Sequence, residues 1–177
     1  MCIRDSPNAE GTKDIFSKHM NANLPIAPSE LERFDNDASE AIKSMVSDAT
    51  DEMFSDSSEN RFIEVTYARG ERETLYFKDF ISGAMIENIV ARAKKLAIKR
   101  IIEDDANEKG ISLEDLRVAI REEYKENEDL PNTTNPDDWA KISGRKGERI
   151  VNIRALIDNE SDRPKREPNT IKGGAYL

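Results

Sequence analysis

The chain has one cysteine, one histidine and one tryptophan among 177 residues, and no long hydrophobic run. Each scarcity removes a class of function. A lone Cys2 cannot close an internal disulfide, and His19 has too few partners to build a Cys/His zinc site. No apolar stretch approaches the roughly 20 residues that span a bilayer, and no secretory h-region opens the chain, so a soluble protein of the cytoplasm is expected. Basic side chains are outnumbered, 27 against 36 acidic, for a net charge of −9. Such a surface lacks the clustered Lys and Arg that grip nucleic-acid phosphates. The phosphate-cradling pattern G-x-x-x-x-G-K-[ST] is also missing. Ser143-Gly144-Arg145-Lys146-Gly147 has neither its glycine spacing nor its ending, and reads as a basic turn.

What remains is a chain with 37% hydrophobic and 36% charged residues. That balance suits a thin domain, or a piece of something larger, better than a thick globular enzyme. Acidic pairs such as Asp104-Asp105 and Asp137-Asp138 read as solvated surface or caps. Ser-His-Asp catalysis would rest wholly on His19, which sits at helical spacing beside Ile15 and reads as a packed imidazole. Met1 to Ser6 leads into no helix or strand pattern and looks like translated adapter sequence. It is set aside as non-native, which implies that the natural protein continues upstream.

Periodicity predicts a mainly α fold with a small β-hairpin. Ile15, Phe16, His19 and Met20 mark a first helix from Ala9 to about Asn21, closed by Pro25 and Pro28. Ser29-Glu30-Leu31-Glu32 reads as a capping box for a short helix, and Asp37-Ala38-Ser39-Glu40 as another for a longer one. That longer helix carries the stripe Ala38, Ala41, Ile42, Met45, Val46, Ala49 and Met53, and ends near Phe54. Alternation in Ile63, Val65 and Tyr67, a turn at Gly70 and an extended Leu75-Tyr76-Phe77 predict a hairpin over about 61–77. Ser82 is placed to cap a helix from Gly83 to about Glu103 with the stripe Ile86, Ile89, Val90, Ala93, Ala97 and Ile101. Ser112 and Asp115 cap another, through Tyr124, with Leu113, Leu116 and Ile120 inward. Ile150, Val151, Ile153 and Leu156 predict a short extended element. From Asp158 to Gly174 the composition predicts disorder.

Two short segments carry a resemblance. Phe77-Lys78-Asp79-Phe80-Ile81-Ser82-Gly83-Ala84-Met85-Ile86 resembles the S-G-A-x-[IL] segment in the small helical domain of AAA ATPases. Ile15-Phe16-Ser17-Lys18-His19 resembles the I-[LF]-x-x-H helix that precedes it in the same family. Further on, ENEDLPNTTNPDDWAKISGRKGERIVNIRALI (126–157) and the ending Gly173-Gly174-Ala175-Tyr176-Leu177 resemble the C-terminal part of the actinobacterial proteasome-associated AAA+ ATPases. The resemblance covers about 7–177.

Its implications attach to matching positions. It implies an AAA+ lid domain over 7–125 with the hairpin as an insertion, a family-specific extension over 126–157 and a flexible tail over 158–177. Members of this family are hexameric, ATP-dependent unfoldases that feed Pup-tagged proteins into the 20S proteasome core. Their Walker motifs and arginine fingers lie upstream, so this chain alone is expected to hydrolyse no ATP, and Mg²⁺ is expected only through the missing large domain. By resemblance, Ile15 packs on adenine, His19 approaches the ribose or adenine edge, and Gly83 with Ala84 lets backbone approach the nucleotide. The alternative for Gly83 is tight helix packing. Lids of the S-G-A type place no sensor arginine here, so Arg92 reads as surface charge. Ala175, Tyr176 and Leu177 resemble the hydrophobic-Tyr-any ending that docks on the proteasome α-ring, although relatives more often have Gln where Ala175 stands. A flexible linker of about sixteen residues would give that ending a reach of roughly 20–25 Å. A rival reading, from a different class, is a stand-alone proteasome-interaction module that works without nucleotide. An independent hydrolase is a third, and no base, nucleophile and orienting partner converge for it.

Overall fold

The computed structural model describes residues 6–104, 109–126 and 150–156. Within them five helices and three strands follow in the order α1 (Ala9–His19), α2 (Pro28–Glu32), α3 (Ala38–Phe54), β1 (Arg61–Tyr67), β2 (Arg72–Tyr76), α4 (Gly83–Asp104), α5 (Leu113–Glu126) and β3 (Ile150–Ala155). The mainly helical character with a small sheet agrees with the periodicity.

Helix starts follow local chemistry. Asn8 accepts the Gly11 N–H at 2.8 Å to open α1, and one Asp37 oxygen accepts from Ser39 and Glu40 to open α3. Ser112 and Asp115 cap α5 reciprocally: the Asp115 carboxylate takes the Ser112 N–H at 2.8 Å while the Ser112 hydroxyl takes the Asp115 N–H at 3.2 Å. The short α2 departs from expectation. Pro28 occupies its first turn behind Ala27, and no side chain caps it. Glu30 reaches instead across the fold, accepting the Leu113 N–H at 3.0 Å, so it caps α5 from outside.

The apolar stripes of α3 and α4 face one core. Ala41, Ile42, Met45, Val46, Ala49 and Met53 meet Ile86, Ile89, Val90, Ala93 and Ala97, with Phe16 and Met20 from α1 and Leu116 and Ile120 from α5. Ile26 and Ile111 form a parallel bridge at the edge of this core. Gly110 makes that crossing possible, because its φ is +129° and a Cβ there would lie 2.4 Å from the Ile26 carbonyl carbon.

The sheet has the order β2-β1-β3, with both pairings antiparallel. The predicted hairpin is therefore two strands of a three-stranded sheet, and the extended element at 150–155 completes it. Two details differ from the simple alternation. A register shift between Arg61 and Ile63 lets both Phe62 and Ile63 turn inward, and both are buried. Phe77 leaves the strand and starts a 3₁₀ turn over Phe77–Phe80, which Asp79 holds by accepting the Tyr76 N–H at 2.8 Å. Phe62, Val65, Leu75, Phe77, Met85 and Ile150 form a second, smaller core. Tyr124 on α5 joins the two: it packs against both cores, and its ring stacks on Phe77 with centroids 3.6 Å apart.

Candidate functional site

The four positions that the family resemblance implies as nucleotide contacts fall on α1 and α4, which pack directly on each other. On α1, Phe16 and Met20 point into the core and are buried. Ile15 and His19, one turn apart, lie on the flank of that buried edge; both are half-buried, and Ile15 touches the helical core. His19 is the last residue of α1, where the helix end favours a positive neighbour.

Gly83 and Ala84 are the first two residues of α4, and both are exposed. The Ser82 hydroxyl accepts the Met85 N–H at 3.3 Å, and the Ser82 carbonyl accepts the Ile86 N–H at 3.2 Å. The N–H groups of Gly83 and Ala84 precede the first intrahelical bonds, so helix geometry leaves them free to point outward. A Cβ placed on Gly83 would meet nothing within 4 Å. Tight internal packing is thus not the reason for this glycine within the described residues. A missing Cβ on an open helix start leaves room for a group from outside to approach the backbone, and the start of a helix favours an anion there.

The remaining implied site residues, Ala175, Tyr176 and Leu177, lie outside the described residues, as does the 143–147 turn. Arg92 differs from expectation. It is no free surface charge: its guanidinium spans from α4 to α5, 3.3 Å from Glu122, 3.5 Å from Glu123 and 2.6 Å from Glu126. The hydrogen bond it donates to Glu126, opposed by partial burial, holds its pKa above the ordinary arginine value. Asn88 adds a bond to Glu123, whose side chain is buried. A second such clamp, missed by local reading, joins Arg100 to the Gly110 carbonyl at 2.7 Å and to Asp115 at 3.0 Å. Both arginines sit on the border of the apolar stripe, which is the one signal that could have marked them. Together the clamps fix α5 against α4, and so set the angle at which the open start of α4 is held.

No helix among the described residues is long and apolar enough to cross a membrane. Comparison with known proteins gives a consistent picture. The family described as "ARC, AAA+ ATPase lid domain" matches residues 7–175. A Streptomyces coelicolor protein named "Proteasome-associated ATPase" is 51% identical over 175 residues, covering 98% of this chain and 29% of its own length. Proteins of the same name from Frankia alni and Mycolicibacterium smegmatis are 55% and 49% identical, again over 98% of this chain and 29% and 28% of theirs. The chain spans less than a third of the length of these relatives. On a match covering nearly every residue, the chain belongs to the family of ARC-type AAA+ ATPase lid domains.

Proposed function

We propose that this chain is the lid and C-terminal region of a proteasome-associated AAA+ ATPase that forms a homohexamer in the cytoplasm. The observation that carries the reading is the match of 98% of the chain to relatives of that name at about half identity. In this reading ATP is hydrolysed by a large domain outside the chain, which also supplies the ligands of Mg²⁺. The lid closes over the base and ribose. Ile15 packs on adenine, His19 meets the ribose or adenine edge, and the exposed start of α4 at Gly83 and Ala84 receives the nucleotide against its free N–H groups. The open space at Gly83 and the half-exposed flank of α1 fit such a ligand.

The C-terminal residues serve a second purpose. The Tyr176 ring and the Leu177 carboxylate enter a pocket on the α-ring of the 20S proteasome core, with Ala175 in the position before them. Six such tails on one ring raise a weak contact to useful avidity. ATP turnover then unfolds Pup-tagged proteins and feeds them into the core.

The test uses the full-length protein that carries this region. Removal of Tyr176 and Leu177 abolishes stimulation of 20S proteolysis while ATP turnover persists. Unchanged stimulation would overturn the docking role, and ATP turnover by the 177-residue chain alone would overturn its assignment as a lid.

A further inference from the structure

A cavity of about 370 Å³ opens where α3, β1 and α5 meet, on a different part of the fold from the exposed start of α4. Its size falls within the range of about 300–1,000 Å³ typical of small-ligand pockets. Met53, Phe77, Ile120, Tyr124 and Leu156 give it an apolar wall, part of which is the stacked Phe77–Tyr124 pair. The Tyr124 hydroxyl is out of solvent and has no hydrogen-bond partner among the described residues. A buried donor without an acceptor is costly, and burial accordingly pushes the Tyr124 pKa above its ordinary value.

The charges at the rim are unevenly satisfied. Glu52 is paired with Arg117 at 2.9 Å, and Arg121 with Glu114 at 3.0 Å. Arg61 and Lys125, both exposed, have no ion pair among the described residues; Glu59 is the one unpaired anion beside them. Two free cations against one free anion at the mouth of an aromatic-walled cavity favour an occupant with an apolar body and a negative end. We propose that this cavity binds a small aromatic carboxylate, with its ring against the Phe77–Tyr124 wall and its charge at Arg61 and Lys125. The wall is contributed by α3, α5, the turn after β2 and the residue that follows β3, so an occupant braces the sheet against the helical core. The site is independent of the nucleotide and proteasome roles above.

The test titrates benzoate, and benzyl alcohol as its neutral counterpart, into the full 177-residue chain while recording methyl NMR signals of Met53 and Leu156. Benzoate is expected to shift both signals saturably, and to bind at least about threefold more tightly than benzyl alcohol, the size of a solvent-exposed charge contact. The double variant R61A/K125A, confined to exposed side chains, should lose that preference while still binding benzyl alcohol. No saturable shift with either probe would overturn the proposal. Equal binding of the two probes, or a benzoate preference that survives R61A/K125A, would reduce the cavity to an apolar void and overturn it as well.

Discussion

Arg92 on α4 lies 2.6 Å from the Glu126 carboxylate on α5, and the same guanidinium reaches Glu122 one turn earlier at 3.3 Å. Between them Glu123 is buried, only 2% exposed, and Arg92 and the Asn88 amide are among its partners. Replacing Arg92 by Met keeps most of the packing but takes the guanidinium charge away from that buried carboxylate and from Glu122 and Glu126. The expected cost is about 2 kcal/mol, below the full price of a deeply buried pair because Arg92 retains some exposure. Glu126→Gln, which touches the exposed arm alone, should cost under about 1 kcal/mol. Urea unfolding of both variants checks the ratio.

Two glycines separate internal geometry from open surface. Gly110 has a φ of +129° and sits so close to the Ile26 backbone that an added methyl would collide at 2.4 Å. Gly110→Ala should therefore destabilise the chain by about 3 kcal/mol or more, read as a fall in Tm. Gly83→Ala adds its methyl to open space at a helix start, and should leave stability within about 0.5 kcal/mol or raise it slightly. In the full-length protein the bulkier Gly83→Val is expected to weaken nucleotide binding at least tenfold without lowering Tm. Equal affinity by calorimetry would remove Gly83 from the nucleotide contact.

These examples also mark what local sequence can convey. The α5 capping box was legible because Ser112 and Asp115 are three residues apart and answer each other, and the α3 and α4 stripes because burial repeats with the helix period. The same logic reads Ser29-Glu30-Leu31-Glu32 as a capping box for α2, but no side chain caps that helix, and Glu30 instead accepts the Leu113 N–H, 83 residues away. The third strand was readable as extended, yet not as a neighbour of β1: Tyr67 pairs with Ile150 only through the tertiary fold. Ile15 and His19 share the helical period of Phe16 and Met20, and Gly83 and Ala84 follow none, so only the family resemblance singles out these four as candidate nucleotide positions. Arg92 shows the converse, since a charge on the edge of an apolar stripe looks like solvent-facing surface until the facing helix brings three glutamates.

Thr12 on α1 and Thr50 on α3 are both fully buried, and neither hydroxyl has a hydrogen-bond partner among the described residues. Each donor has given up water without compensation. Valine has nearly the same shape and helix propensity. Thr12→Val and Thr50→Val should each stabilise by about 1 kcal/mol, seen as a higher urea midpoint at unchanged slope. A loss of stability in either would mean that its hydroxyl is satisfied in solution.

Tyr124 gives the chain a defined weakness at high pH. Burial raises its folded pKa above the ordinary value of 10.0, while in the unfolded chain it ionises normally. The unfolded state then holds fewer protons than the folded state once the pH exceeds about 10. Stability from this group is complete below that pH and falls as pH rises toward the folded value. Lys78 acts with the same sign: its hydrogen bond to Asp56 raises its pKa above 10.5, so its contribution also fades in alkali. That group is largely solvated, and its share is small. Tyr124→Phe removes both the ionisation and the unpartnered hydroxyl while keeping the ring on Phe77. The variant should match or exceed the parent at pH 7 and lose less stability between pH 9 and 11. Urea midpoints across that range decide the matter, for if the two proteins decline in parallel, another group governs the alkaline limb.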